Sequence, residues 1–362
     1  MSLDNVHALL RLLPELPAGK IVLTILLLLN IRAFPFVWHV RVFRPVYSIY
    51  LQRLLLSIRT LFLSRKAKKA AIHRWMESLS PIGLNPFSQA AAVTYTSWAS
   101  IDESDYNLHL SNSSYAKALD GARFKAAMKW CPQFFRAGGK MALGGTSFGF
   151  LREIPIMRGY EVRISIGGWD EKWFYIICRF VTVPKGKGKG EGKKKRHEAT
   201  NGSFLQAPII DTTPGSSSFT STPIPPNTNG KLDIKTLTSR LTATHEEPDG
   251  AILHTVSISQ MCCKIGRITV PPELVLATNG MYATNGSEAY SQSNPPPHWS
   301  NVQALIESNG LTALYKGGWK DVPVEERWWN TAMGGMVEEQ RKERMETLGL
   351  LRRCMDGAKG IR

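Results

Sequence analysis

The sequence predicts an α+β domain in which an antiparallel sheet wraps around one long helix. The first observation is a helical spacing of apolar side chains within residues 113–130. The second is the order of the neighbouring segments, because one strand-like segment precedes this helix and four follow it. The helical apolar positions are Tyr115, Ala118, Leu119, Ala122 and Ala126. A chain in this order has one helix available for the sheet to cover.

The strands are predicted from composition and alternation. Residues 93–98 are rich in β-branched and aromatic side chains and give the strand before the helix. After the helix, residues 141–151 are glycine-rich, residues 160–166 alternate between apolar and polar, and residues 173–183 are almost continuously apolar. The last strand is expected at residues 252–261.

Three regions flank or interrupt this domain, which we place at residues 85–275. Residues 184–250 are rich in Lys, Gly, Ser, Thr and Pro and poor in aromatic side chains, so we predict a disordered, low-complexity insertion within the sheet. Residues 1–70 form a separate N-terminal region. Residues 297–362 are predicted to form a helical C-terminal extension.

The N-terminal region predicts a membrane anchor followed by a basic amphipathic segment. Residues 21–29 are apolar without interruption, whereas a helix that spans a bilayer needs about 20 mostly apolar residues. Residues 17–40 reach that length only by including Asn30, Arg32 and Pro35. We expect a single-pass anchor over residues 17–40. A buried hairpin of helices is the alternative, and an anchor that lies on the bilayer is also left open.

The net charge of +16 comes almost entirely from two segments. Residues 32–69 carry nine basic side chains and no acidic one, and residues 185–196 contribute a further +6. The remainder is close to neutral, and the lysine- and glycine-rich run lacks interleaved aromatic side chains, so the sequence argues against a nucleic-acid partner. Because basic flanks stay in the cytoplasm, we expect a membrane-associated protein with a cytoplasmic catalytic domain.

The polar segment at residues 102–115, between the first strand and the long helix, holds the candidate catalytic groups. Asp105 has the chemistry of a general base or a nucleophile. Ser111, Asn112 and Ser113 are residue types that cap helix N-termini. The free backbone amides of a helix N-terminus carry a partial positive charge and polarise a carbonyl oxygen, as an oxyanion hole does. The segment therefore predicts chemistry on a carbonyl group.

The same segment resembles a motif of the hotdog-fold thioesterases, the group that includes 4-hydroxybenzoyl-CoA thioesterase. Their pattern, D-x-x-x-H-x-N-N-x-x-Y, is matched here by Asp105, His109, Asn112 and Tyr115. Ser111 replaces the first of the two asparagines. The chain is most similar to membrane-anchored members of the thioesterase superfamily and to fungal thioesterases of secondary-metabolite clusters.

The resemblance implies a hotdog fold over about residues 93–270. It also implies an acyl thioester hydrolase acting on acyl-CoA or on a carrier-bound acyl or polyketide chain. Asp105 and His109 are then the catalytic residues. Such domains need no metal or cofactor, and they form a homodimer or a higher homo-oligomer in which a partner chain helps to complete the site. The implied substrate-binding residues are Asn112, Ser113 and Tyr115.

Other interpretations stay open at this point. Asp105 could only shape a turn, Asn112 could only cap the helix, and His109 could only orient the loop. The protein could also be a non-catalytic, membrane-tethered protein that binds an acyl thioester or acts as a scaffold. Hydrolysis of the thioester separates these functions.

A second motif competes with this assignment. The stretch from Gly145 to Gly149 satisfies G-x-S-x-G, the nucleophile elbow of α/β-hydrolases, which requires a helix directly after the serine. Pro155 and an alternating segment follow instead, so we expect Ser147 to lie in a strand. None of the five cysteines forms a CxxC pair, which argues against a structural zinc site.

Overall fold

The computed structural model describes residues 18–184, 247–283 and 290–358. It confirms the predicted combination of an antiparallel sheet with one long helix. The helices are α1 (Ala18–Leu29), α2 (Val37–Arg59), α3 (Arg65–Ser78), α4 (Asn112–Trp130), α5 (Pro132–Arg136), α6 (Pro272–Thr278), α7 (Trp299–Glu307), α8 (Leu311–Tyr315), α9 (Trp328–Ala332) and α10 (Gly335–Ala358). The strands are β1 (Val93–Trp98), β2 (Lys140–Phe150), β3 (Gly159–Trp169), β4 (Trp173–Thr182), β5 (Ile252–Ile265) and β6 (Ile268–Thr269).

The sheet has the strand order β1-β3-β4-β5-β2, and β6 pairs with the end of β5. The pairings β1–β3, β3–β4 and β2–β5 are antiparallel. Across one row of the sheet, Ile164 of β3 lies opposite Val93 on one side and Cys178 on the other. β5 is the last of the long strands in the chain, but it lies between β4 and β2 in the sheet.

The core lies between one face of α4 and the inner face of the sheet. The apolar face of α4 is buried, and the small side chains of Ala118, Ala122 and Ala126 let the strands lie close to the helix. Trp130 closes the C-terminal end of this face, where its indole N–H donates to the carbonyl oxygen of Ala91 at 2.7 Å. The predicted helical periodicity therefore marks the face that the sheet covers.

β2 bends at a bulge. Its register with β5 shifts between Leu143 and Gly145. A Cβ atom at Gly144 would overlap the ring of Trp173, so glycine at this position leaves room for the indole. Ser147 lies inside β2 opposite Ile258, and the chain continues from β2 into β3 without a helix. This confirms that the G-x-S-x-G stretch is a strand and not a nucleophile elbow.

The N-terminal region contains two helices where the sequence predicts one helix over residues 17–40. α1 ends at Leu29, and α2 begins only after Phe36, which has a φ of 67°. Asn30 favours a turn and Pro35 lacks an amide hydrogen, which explains the break. Among the residues that the structure describes, no helix is both long and apolar enough to cross a membrane. The spanning anchor is therefore not confirmed.

The structure describes little of the predicted insertion and most of the predicted C-terminal extension. Most of the predicted insertion at 184–250 lies outside the described residues, so its disorder stays a prediction. At its C-terminal end, the described residues form a turn in which the Glu247 amide donates to the Ala251 carbonyl oxygen at 2.8 Å. The predicted C-terminal extension contains α7 to α10.

Candidate active site

The loop between β1 and α4 is a small folded unit. It begins with the 3₁₀ turn Ile101–Glu103, and Ser104 and Leu110 then pair as an antiparallel bridge. Leu108 has a φ of 63°, a left-handed conformation that is uncommon for a residue other than glycine. The turn between the two bridging residues presents Asp105 and His109.

Asp105 organises this loop through one of its two carboxylate oxygens. Its Oδ1 accepts the backbone N–H of Asn107 at 2.9 Å and that of His109 at 3.2 Å. The Asp105 amide in turn donates to the His109 carbonyl oxygen at 2.8 Å. Both side-chain bonds use Oδ1, so Oδ2 of this half-buried group is the oxygen available for chemistry. Turn formation and a catalytic role are therefore compatible.

His109 lies between the loop and the segment that follows β2. Its backbone pairs with Pro155, and its Nδ1 lies 3.2 Å from Oε2 of Glu153. This distance suits an ion pair, but Nδ1 has no hydrogen bond of acceptable geometry. The two groups therefore attract each other by charge, and only when the imidazole is protonated. His109 therefore stays beside Asp105 and faces a carboxylate.

The N-terminus of α4 offers two backbone amides. Ser111 is the N-cap residue, but its hydroxyl shares hydrogen bonds with the hydroxyls of Ser113 at 3.2 Å and Ser114 at 2.8 Å instead of accepting from the backbone. Among the described residues, the amides of Asn112 and Ser113 have no acceptor. Both of these side chains are exposed, so a ligand can reach the amides beneath them.

Tyr115 lies in the core. It is 2% exposed and packs edge to face against Phe150 and Phe180, with ring centroids 5.3 Å and 4.9 Å away. Burial raises the pKa of its hydroxyl. The motif therefore brings Tyr115 under the first turn of α4, where its ring supports the helix N-terminus. Contact between its side chain and a substrate stays a prediction.

Glu103 is a site residue that the motif does not include. Its side chain is 2% exposed, and its Oε1 accepts from Nη1 of Arg41 at 2.7 Å while Oε2 accepts from Nη1 of Arg32 at 3.1 Å. Lys117 of α4 places its Nζ 3.3 Å from Oε1. Burial is the largest single influence and lowers the pKa of the Arg41 guanidinium, but the hydrogen bond and charge of Glu103, together with Tyr95, raise that pKa overall. Three cations thus surround one buried carboxylate in the candidate catalytic loop.

His254 of β5 is a second histidine near this loop that sequence reasoning misses. Its Nδ1 lies 2.9 Å from the carbonyl oxygen of Glu153, and its own carbonyl accepts the amides of Leu151 and Arg152. Burial lowers the pKa of this imidazole. His254 therefore holds the segment that carries Glu153. Elsewhere in the described chain, no three His, Cys, Asp or Glu side chains converge in a way that would hold a metal ion.

Two cavities lie outside this loop. One of ≈ 960 Å³ is lined by residues of the β3–β4 turn, β6 and the C-terminal helices, and one of ≈ 370 Å³ lies between α2 and α4. Neither is lined by a residue of the β1–α4 loop. We therefore place the chemistry by its functional groups and not by the size of a cavity.

A protein-family model matches the part of the chain that contains this loop. Residues 96–196 match the model described as the thioesterase-like superfamily, and the match begins in β1 and includes the whole β1–α4 loop. The antiparallel sheet around α4 is the hotdog architecture. Residues 96–196 of this chain are therefore similar to the thioesterase-like domains.

Individual proteins are similar to this chain at modest identity. This chain is similar to the protein named Thioesterase lcsJ of Purpureocillium lilacinum, which is 28% identical over 187 residues, or 46% of this chain and 60% of the relative. The protein named Probable thioesterase atnL of Emericella nidulans is 26% identical over 71% of this chain and 69% of its own length. Protein THEM6 of Danio rerio is 30% identical over 24% of this chain and 44% of its own length.

The alignment with the first of these relatives thus spans less than two thirds of that protein. The activity and substrates of a complete relative therefore do not pass directly to this chain.

Proposed function

We propose that the protein hydrolyses acyl thioesters, either acyl-CoA or a carrier-bound acyl or polyketide chain. The observation that carries this proposal is that, among the described residues, one Asp105 oxygen and the amides of Asn112 and Ser113 at the adjoining helix N-terminus have no hydrogen-bond partner. A general base and an oxyanion site are the two elements that hydrolysis of a carbonyl compound needs. The names of the fungal relatives support the same reaction class.

The proposed reaction begins with a water molecule positioned by Oδ2 of Asp105. The carboxylate takes one proton from this water as the oxygen attacks the thioester carbonyl carbon. The negative charge then develops on the carbonyl oxygen, which the amides of Asn112 and Ser113 stabilise. The C–S bond breaks, the thiolate leaves, and the proton held by Asp105 passes to the sulfur. Direct attack by Asp105 is the variant of this scheme, with water then cleaving the resulting anhydride.

His109 has a positioning role in this proposal. Its amide is one of the two that fix Oδ1 of Asp105, which keeps Oδ2 in a defined direction. When the imidazole is protonated, its attraction to Glu153 ties the loop to the segment after β2.

We also propose that the N-terminal region attaches the protein to a membrane. α1 has 12 residues, so it is about 18 Å long and shorter than the hydrocarbon core of a bilayer. Its exposed apolar side chains and those of α2 suit a position in the membrane interface. A cytoplasmic location follows if the basic side chains face anionic lipid.

A homodimer is part of the proposal as well. β2 ends the strand order, so its outer backbone groups are available to a second copy. Pairing of two such edges would join the sheets. Sedimentation-equilibrium analysis of the full chain tests this directly, and a strictly monomeric protein over the micromolar range would contradict it.

The decisive experiment for the activity compares wild type with Asp105→Asn on a panel of acyl-CoA thioesters. The carboxamide keeps an oxygen that can accept the Asn107 and His109 amides but is not a base, so we expect an intact fold and a loss of turnover of about 10²- to 10⁴-fold. Ser147→Ala is the matched control and retains wild-type turnover because Ser147 is in a strand.

The alternative function gives a different result in the same experiment. A non-catalytic acyl-binding protein would bind an acyl-CoA in calorimetry while wild type released no thiol. Wild-type turnover that survives Asp105→Asn would remove Asp105 from the mechanism.

A further inference from the structure

We propose that the N-terminal region supports the active site, because Arg32 and Arg41 hold the catalytic loop in position through their contacts with Glu103. The inference rests on the proposed function for its effect on turnover, but not for its effect on the loop itself. Glu103 is a positioning residue in this proposal, since it contacts no reacting atom.

Arg41 makes the first connection. It lies on α2, and its Nη1 donates to Oε1 of Glu103 at 2.7 Å. α2 is itself held against α4, where Phe43 meets Phe124 edge to face with ring centroids 5.5 Å apart. The arginine is therefore presented from a packed helix and not from a free chain end.

Arg32 makes the second connection and extends it to β1. Its Nη1 donates to Oε2 of Glu103 at 3.1 Å and to the Trp98 carbonyl oxygen at 2.6 Å, and its Nη2 donates to the Ser97 hydroxyl at 3.0 Å. The guanidinium also lies 5.0 Å from the Trp98 ring centroid. One side chain thus joins the end of β1 to the start of the loop.

The backbone of Glu103 connects this restraint to the catalytic groups. Its carbonyl oxygen accepts the amide of Ser111, the N-cap residue of α4, at 3.0 Å. The next residue, Ser104, forms the bridge with Leu110 that closes the Asp105 turn. Displacement of Glu103 would therefore move both the general base and the oxyanion amides.

The burial of Glu103 makes this arrangement dependent on its partners. A carboxylate that is 2% exposed is strongly destabilised when it loses its counter-ions. Without Arg32 and Arg41, Lys117 would be the remaining cation within ion-pair distance. The loop would then open to hydrate the charge, which is the state we expect to be inactive.

The other basic residues of the region do not share this role. Arg44 lies one turn from Arg41 on α2 but is exposed to solvent. Arg44→Gln removes the same charge from the same helix without touching Glu103. It is therefore the matched control for Arg41→Gln.

The test uses the full chain, because a chain that starts after residue 70 lacks both arginines. We expect Arg41→Gln to lower kcat about tenfold to a hundredfold with a small change in KM, since the loop acts on the transition state. We also expect faster hydrogen–deuterium exchange in peptides covering residues 102–111. Arg44→Gln should leave both measurements at the wild-type values.

A second pair of variants separates positioning from simple instability. Glu103→Gln removes the buried charge, so adding Arg41→Gln to it should cost less than a further threefold in kcat. Equal exchange of the loop in Arg41→Gln and Arg44→Gln would overturn the inference. So would a full additional loss in the double variant. If wild type hydrolyses no thioester, the proposed function fails, and the exchange comparison still decides the inference.

Discussion

Gly144 shows at the scale of one residue how the sheet depends on a missing side chain. The β2 bulge brings its backbone against the ring of Trp173 on β4. Gly149, on the same strand, has open space around it, and a Cβ there would lie 3.8 Å from the nearest atom, the Val256 carbonyl oxygen. The two glycines lie on the same strand, but only Gly144 is packed so closely that a side chain would clash.

We expect Gly144→Ala to lower the free energy of unfolding by about 1–3 kcal/mol, because the added methyl group must displace a packed indole. Gly149→Ala is the control and should change it by less than about 0.5 kcal/mol. Urea denaturation followed by tryptophan fluorescence measures both. Equal effects in the two variants would mean that Trp173 moves aside without cost.

Single residues also show which parts of the candidate site the sequence predicts and which it does not. Asp105, His109 and Asn112 are found from their spacing, because a loop followed by a helix fixes their positions locally. Glu103 stands in the same acidic run and carries no local sign of burial. Its partners Arg32 and Arg41 are 71 and 62 residues away in the chain, and only the tertiary fold brings them together.

At the scale of elements, the half-buried Glu273 and the buried His298 have pKa values shifted in opposite directions. Burial, and secondly repulsion by Glu338, raises the pKa of Glu273 on α6 to about 7. Burial lowers the pKa of His298, next to α7, to about 4, although its Nε2 lies 3.0 Å from the Ala277 carbonyl oxygen. Between pH 4.5 and 6.5 the folded protein keeps Glu273 protonated and His298 neutral.

The signs of these two effects on stability are opposite. As pH rises above 4.5, the unfolded chain loses the Glu273 proton first, so stability falls until pH reaches about 7. As pH rises from about 4 to 6.5, the unfolded chain loses the His298 proton that the folded chain lacks already, so stability increases. In wild type the fall in stability due to Glu273 and the increase due to His298 therefore cancel.

Replacing one of the two groups should expose the pH dependence of stability that the other group contributes. Relative to wild type, we expect the free energy of unfolding of Glu273→Gln to rise by about 1.4 kcal/mol per pH unit between pH 5 and 6. That of His298→Gln should fall by a similar amount. Urea denaturation at several pH values gives the differences, and profiles parallel to wild type would refute the assignment.

The sequence predicts some helices and strands better than others. α4 and β1 have clear local patterns, and the structure begins and ends them within one residue of the prediction. The break between α1 and α2 was not predicted, since Asn30 and Pro35 interrupt a composition that otherwise suits one apolar helix. α6 carries no pattern that distinguishes it, because it is short and buried on nearly every side.

At the scale of the whole molecule, the N-terminal region has a surface unlike the rest. Large apolar side chains are exposed along α1, α2 and the turn after it, including Leu26, Phe36, Leu54 and Phe62. No acidic residue occurs between residues 17 and 76. Two of its arginines contact Glu103, whereas its other Arg and Lys side chains have no carboxylate partner among the described residues.

We expect the full chain to co-sediment with vesicles that contain phosphatidylserine, and the bound fraction to fall as salt rises. The double variant Leu54→Glu/Phe62→Glu should bind several-fold less, because each change places a charge in the interface. Val324→Glu, at an equally exposed apolar site outside this region, is the control. Equal binding by all three proteins would refute attachment through this surface.

The place of β5 between β4 and β2 has a consequence for the order of folding. During synthesis β2 is complete at residue 150, but its sheet neighbour is not finished until residue 265. β2 must therefore wait with an unpaired edge while the ribosome translates the long insertion. Closure of the sheet is a non-local step of high contact order, and such steps are slow and exposed to aggregation. The length of the insertion thus sets the time at which the domain can close.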